Sequence, residues 1–574
     1  MRNLKFQRLV LISDTKRIAN QFTFPKRLNL ITGGDNSIGK STLAKNLLWS
    51  LGCNPVFDEE WKSNDIKSIL YFTVDGKEYF SCRGSHSTIL GEIGGEAKRY
   101  SKITGSYANH LSKIVNFKMK LPNRDDGTLE TPPPAYYFLP FYIDQIESWS
   151  TPWDSFENLT QYSNWKPTLI KYFTGYLKPA HFDIEEEVYE YTENKKESER
   201  EIEKLRSAVE VIECNSTETS IALNNDDFSR IQEEINKELH DMIEYQNNLY
   251  ENQVTINSNI YDLERQYELA ISSASELALD YKFAVESIPN DHFRCPLCDT
   301  THDNSLPRRA ILLSEKDTLL AEAGLIKTKL AHLKLSVREL NEHARHASDD
   351  IERINQKYIN HDNENNLIAH VIDAISKNNV SKKIQVKIND EGNNIGKING
   401  SIKQLKNEQK KLLSTKDKDA LNISFMAKLL SNIEALGSTG VSLNKVNSPT
   451  DYKKLLGGGA AEAARGVLAY QLSILQQIHE VETCIVPPFV IDTPNQQEQA
   501  GHRYETVIKE LVKSVPSDYQ IILCAMENDA LMKFKADAHV INLDSDRLLK
   551  PSQYESLRAE YAAIQEAVAG QLED

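Results

Sequence analysis

Apolar and polar positions alternate along this chain in two different rhythms. Leu9-Val10-Leu11-Ile12 and Leu28-Asn29-Leu30-Ile31 are short apolar runs bounded by polar residues or glycine, the form of buried strands. Ile69 to Val74 and Glu78 to Cys82 flank Asp75-Gly76, a pairing that predicts a tight hairpin. The glycine-, serine- and proline-rich stretches Gly91–Gly105 and Pro122–Pro134 predict surface loops. From about Ile184 the rhythm changes. Ile235, Met242, Leu249, Ile256 and Leu263 recur every seven residues, as do Leu312, Leu319, Ile326, Leu333, Leu340, Ala347 and Ile354. Apolar heptads on a polar background predict coiled coil. From Asp451 to about Leu543 the pattern is globular again, with a glycine cluster, a helix and two apolar strand candidates.

Pro289 to Pro307 must stop both heptad runs, so the expectation is an antiparallel hairpin carrying a turn at its tip. Roughly 100 residues of arm at 1.5 Å each give an upper limit of about 150 Å, shortened by breaks near Cys214–Asp227 and His361–Asn366. Globular halves joined by a hairpin imply one discontinuous α/β domain. The expected division is an N-terminal lobe at 1–180, an ascending arm at 181–290 and a tip at 291–306. A descending arm at 307–436 and a C-terminal lobe at 437–574 complete it.

Composition narrows the classes. The 574 residues carry a net charge of −16, yet the first fifty hold nine Lys/Arg against two Asp, so a basic lobe coexists with acidic arms. Mean hydropathy is −0.49. No apolar run approaches the ~18–20 residues of a membrane span, and the first residues lack the apolar core of a signal peptide. Seven scattered cysteines form no disulfide framework. The expectation is a soluble cytoplasmic protein with no membrane partner.

Gly34-Asp35-Asn36-Ser37-Ile38-Gly39-Lys40-Ser41 matches the phosphate-binding loop G-x-x-x-x-G-K-[ST], directly after the strand Leu28–Ile31 and before a helix predicted over Thr42–Leu51. Its backbone amides would cradle the phosphates of ATP; Lys40 would reach the β- and γ-phosphates and Ser41 would bind Mg²⁺. Pro488 to Asp492 is an apolar strand ending in a carboxylate, the form of the metal-binding Walker B strand. Gln145, after the apolar run Phe141 to Ile143, either coordinates the metal or positions water. Gly457-Gly458-Gly459 precedes a helix with Glu462 and Arg465, a second anion site far along the chain. A homodimer in which each glycine turn caps the partner's nucleotide would use both.

Cys295-Pro296-Leu297-Cys298 is half of a tetrahedral zinc site at the tip. An equivalent tip on a second molecule would complete four thiolates; an intramolecular knuckle with His302 or Asp303, or inert thiols, are the other readings. Asp and Glu are abundant, but none forms a metal-dependent nuclease cluster.

Phosphate loop, heptad arm, Cys-Pro-x-Cys tip, returning arm, glycine turn and Walker B strand, in that order, resemble the SMC-like ABC ATPases with a zinc hook, among them SbcC. The runs Leu28 to Thr42 and Ile491-Asp492-Thr493-Pro494-Asn495-Gln496-Gln497 are similar to the short SMC-like subunits of bacterial defence operons of the Lamassu type. The resemblance implies an ABC-type head with a coiled-coil arm, joined as a homodimer through heads and hooks with bound ATP, Mg²⁺ and Zn²⁺. It further implies that Thr42 completes the nucleotide loop. By the same resemblance the protein senses foreign double-stranded DNA, at ends or unusual structures, and controls an effector nuclease beside an accessory subunit. A steadily cycling repair ATPase and a zinc-linked structural tether are the alternatives. Three departures imply slow hydrolysis. Thr493 stands where the family carries a catalytic glutamate, with Glu498 the substitute; Gly457 replaces the signature serine; and Met526-Glu527 occupies the place of a switch histidine.

Overall fold

Strands from the two ends of the chain share one sheet in this computed structural model. It describes residues 2–573 except 35–37, 146, 150, 215–239, 287–291, 295–300, 304–305, 359–366, 439, 444–445, 456–459, 494–500, 528, 544–547 and 569–571. Among the described residues, no helix is long and apolar enough to cross a membrane. The chain divides into two units, Met1–Tyr189 with Leu405–Asp574, and Glu190–Gln404.

The first unit holds a five-stranded sheet in the order Tyr142–Ile143, Phe489–Asp492, Ile521–Cys524, Leu28–Thr32, His539–Asn542, with every pairing parallel. Its longer central strands are mainly apolar and buried throughout, as strands covered on both faces must be. Parallel pairing brings the C-terminal ends of Leu28–Thr32 and Phe489–Asp492 to the same edge.

A seven-stranded sheet belongs to the same unit. Its order is Leu572–Glu573, Ala97–Tyr100, Thr88–Glu92, Lys77–Arg83, Ile66–Val74, Leu4–Ser13, Ile18–Thr23. The predicted Asp75-Gly76 turn is present, with φ of 51° and 84° at its two central residues, the left-handed pair a two-residue hairpin favours. The loop expected over Gly91–Gly105 is instead partly strand. Thr88–Glu92 pairs with Ala97–Tyr100, and a Cβ at Gly91 would lie 2.4 Å from that of Ala97. The glycine there permits close strand approach rather than marking a loop.

Helix Tyr554–Ala567 covers one face of this sheet, packing Leu557 and Tyr561 on Val10, Ile12, Ile69, Cys82 and Ile89. Glu560 joins it to Arg8 and the Tyr71 hydroxyl. The two sheets are bridged by the buried Gln520. Its Oε1 accepts from Phe6 N at 2.8 Å, and its Nε2 donates to Phe6 O at 3.0 Å and Phe24 O at 2.8 Å.

The descending arm expected to reach residue 436 ends sooner. Helix Thr415–Ala435 opens on a Ser414–Asp417 capping box and buries Phe425, Leu429 and Ile433 in the core of the first unit. Lys428 pairs with Glu480, and Asn432 Nδ2 donates to Ser473 Oγ at 2.8 Å on helix Ala460–Val481. A helix packed on a globular core uses the same apolar spacing as a coiled coil, so periodicity alone carried the expectation too far.

In the second unit, helices His240–Glu286 and Leu306–Tyr358 run antiparallel: Gln253 Nε2 donates to Asn341 Oδ1 at 2.9 Å, and Lys334 pairs with Glu264 at 2.6 Å. The ascending arm expected over 181–290 is not one run. Helix Pro179–Cys214 lies antiparallel to His240–Glu286, with Lys204 on Asp262 at 2.7 Å and Glu203 on Arg265 at 3.6 Å. It is also antiparallel to Leu367–Lys411, through Ser198–Asn394 and a core of Leu205, Ala208, Val380, Ile384 and Ile388 shared with Tyr250 and Val254. Heptad spacing records which face of a helix is buried, not the direction of its neighbour. The expected breaks near 215–227 and 361–366 lie outside the described residues.

Gln520→Ala strands backbone groups of Phe6 and Phe24 in the core. We expect a loss of about 1–3 kcal/mol in urea unfolding. A denaturation midpoint unchanged from wild type would show that this bridge does not stabilise the first unit.

Candidate nucleotide and metal site

Strand Leu28–Thr32 ends in Gly33-Gly34, and helix Lys40–Trp49 begins after Gly39, whose φ of 95° suits only glycine. A Cβ on Gly33 would lie 2.1 Å from Ile38 Cδ1 and 2.5 Å from the Leu543 carbonyl oxygen, so this position too must be glycine. Gly33 precedes the eight-residue motif, and the sequence pattern alone does not single it out. Lys40 and Ser41 thus occupy the first turn of a helix whose unpaired amides point toward the loop.

Three distant segments meet at Ser41. Its hydroxyl donates to Asp492 Oδ1 at 2.9 Å, and its oxygen lies 3.2 Å from Gln145 Oε1. Asp492 ends its strand fully buried, and its Oδ2 has no hydrogen-bond partner. Burial pushes its carboxyl above the usual range; the hydroxyls of Ser41 and Thr493 and the charge of Lys45 pull it back, while Asp144 adds to the rise. A hydroxyl, an amide oxygen and a buried carboxylate are hard oxygen donors, the set that Mg²⁺ prefers. The unpartnered Oδ2 is the acceptor a cation would satisfy. Ser41, Gln145 and Asp492 therefore fit the metal the loop implies.

Gln145 is held by the turn that follows it. Asp144 accepts from Ser148 N at 2.7 Å, from the Ser148 hydroxyl and from Glu147 N at 3.2 Å, while Ser155 Oγ closes on Tyr142 O at 2.8 Å. Trp149 Nε1 donates to Asp492 O at 3.3 Å, tying this turn to the carboxylate strand. Asp144 and Trp149 are supporting residues that sequence reading missed, since neither belongs to a spaced motif.

Thr493 has φ of 53°, a strained conformation for a β-branched residue. Its N–H donates to Cys524 O at 3.0 Å and its hydroxyl to Asp492 Oδ1 at 3.1 Å. Of the predicted site residues, Gly34, Ile38, Gly39, Lys40, Ser41 and Thr42 lie in or beside the loop, and Gln145 and Asp492 converge on it. Asp35, Asn36, Ser37, Glu498, the turn Gly457-Gly458-Gly459 and both Cys295 and Cys298 lie outside the described residues. Among the described residues, no cluster of three or more His, Cys, Asp or Glu has the form of a metal site.

No protein-family model matches the chain. Along its whole length, it is similar to Lamassu protein LmuB. The relative from Bacillus sp. strain NIO-1130 is 22% identical over 575 residues, spanning 95% of this chain and 97% of that protein. A second, from Bacillus cereus strain VD014, is 20% identical over 585 residues, 98% of this chain and 96% of that one. Among solved structures, the Smc head domain with a coiled coil and joint from Pyrococcus yayanosii is 13% identical, with 98% and 100% coverage and a TM-score of 0.36. The ATP-bound recombination mediator RecF is 12% identical, with 92% and 93% coverage and a TM-score of 0.25.

The raised carboxyl of Asp492 fixes the sign of a pH effect. Without metal, the folded state holds this proton more tightly than the unfolded chain, whose value is near 3.8. Stability therefore falls as pH rises above about 4 through the folded value. Asp492→Asn removes that loss. In EDTA at pH 7 the variant should melt above wild type, and with Mg²⁺ and ATP the order should reverse. A variant that melts lower in EDTA contradicts the uncompensated charge.

Proposed function

We propose that the chain is an SMC-like ATPase whose heads pair on ATP, and that it binds foreign double-stranded DNA to control a partner nuclease in antiphage defence. The observation that carries the nucleotide half is the meeting of Ser41 with Asp492 at 2.9 Å, and with Gln145 at 3.2 Å, at the mouth of the phosphate loop. Bound Mg²⁺ would supply positive charge to the phosphates of ATP, held by Ser41, Gln145 and Asp492. Lys40 and the amides after Gly39 would hold the β- and γ-phosphates. The Gly457–Gly459 turn, entering helix Ala460–Val481, would cap the nucleotide of a second head. Thr493 offers no carboxylate beside the metal residue, which favours slow turnover and a switch over a motor.

Full-length similarity to LmuB supports the defence reading and operon partners. The basic N-terminal fifty residues support contact with DNA phosphates. For the tip, support comes from the backbone. Strands His292–Arg294 and Thr301–Asp303 pair antiparallel, and both cysteines lie between them in the sequence. Two such tips would share one zinc ion.

ATP hydrolysis by purified protein should exceed that of Lys40→Ala and rise with DNA, most with linear duplex. Rates equal to the Lys40→Ala blank on every DNA would reject the ATPase and leave a nucleotide-binding tether. Zinc analysis should give about one metal per two chains, with Cys295→Ser abolishing both the metal and the hook-linked dimer. Full zinc content in that variant would refute the shared site.

A further inference from the structure

A phosphate loop with a metal site still needs a group to take the proton of the attacking water. Thr493 cannot: it has no carboxyl group, and its hydroxyl is turned onto Asp492 at 3.1 Å. Asp144 is occupied by the Ser148 and Glu147 amides that shape its own turn. The sheet supplies another acid. Strand Ile521–Cys524 lies between the strand of Asp492 and the strand that enters the phosphate loop, parallel to both. Cys524 is paired with Asp492 on one side and Ile31 on the other.

The chain leaving Cys524 stays on the loop strand. Ala525 N donates to Ile31 O at 3.1 Å, and Glu527 N donates to Gly33 O at 3.3 Å. The backbone of Glu527 is therefore fastened to the residue that opens the phosphate loop, on the side facing the carboxylate strand. The residue is exposed beside that crevice. Ends of parallel strands that meet at such a crevice are where open α/β sheets take ligands.

We infer that Glu527 is the general base of this site, an assignment that rests on the ATPase reading above. The water oxygen forms a bond to the γ-phosphorus as the bond to the bridging oxygen of ADP breaks. The water proton passes to the Glu527 carboxylate and then to solvent, and inorganic phosphate leaves. Positioned bases of this kind contribute about 10²–10⁴-fold to rate.

The test is single-turnover hydrolysis of Mg²⁺–ATP by the full-length protein, with binding of a fluorescent ATP analogue measured in parallel. Glu527→Gln should bind the analogue within about twofold of wild type, yet hydrolyse ATP about 100-fold more slowly. Wild-type binding and hydrolysis with Glu527→Gln at near-normal rate overturns the assignment alone, and a large loss in Glu498→Gln or Glu147→Gln instead moves the base there. Wild type no faster than Lys40→Ala overturns the ATPase reading and this assignment together.

Discussion

The site depends on the insertion of Leu28–Thr32 between Ile521–Cys524 and His539–Asn542. A strand from the first thirty-two residues is hydrogen-bonded on both sides to strands from beyond residue 520. Parallel ladders require such crossovers, and this one spans nearly the whole chain. It brings the phosphate loop to the same sheet edge as Asp492. Gln520, immediately before the inserted neighbour strand, extends the tie to the second sheet through Phe6 and Phe24. The site and the closure of the first unit therefore rest on the same pairing.

Within that frame, the chemistry is concentrated on a buried carboxylate. Asp492 lies in the dry sheet with one oxygen satisfied by hydroxyls and the other unpartnered, an arrangement that costs stability until a cation arrives. Thr493 adds backbone strain at the next residue. Trp149 and the Asp144 turn hold the surrounding elements in register.

The helical unit is stabilised by a different logic. Its helices meet through small apolar seams such as Ala208 with Val254 and Ile384, edged by ion pairs such as Lys204–Asp262. Surface pairs of this kind contribute little each, so the apolar seam carries the packing. Because Pro179–Cys214 contacts both His240–Glu286 and Leu367–Lys411, this part is a bundle of several helices rather than a two-stranded rod.

The sequence by itself determined the local elements. The strand, glycine loop and helix from Leu28 to Trp49, the Asp75-Gly76 hairpin and the apolar strand ending at Asp492 follow from periodicity and glycine placement, which act over a few residues. It also brought forward Lys40, Ser41, Gln145 and Asp492, because phosphate and metal chemistry demands those residue types at the ends of strands. What only the tertiary structure decided is longer in range. That Gly91 marks a strand contact, that Thr415–Ala435 packs into the globular core, and that 181–290 reverses direction all depend on the partner a face meets. So do the roles of Gly33, which meets the Leu543 carbonyl, and Trp149, which donates to Asp492 O. A heptad or a glycine records what is buried or bent locally, but pairing across hundreds of residues is fixed by packing, and packing leaves no fixed spacing to read.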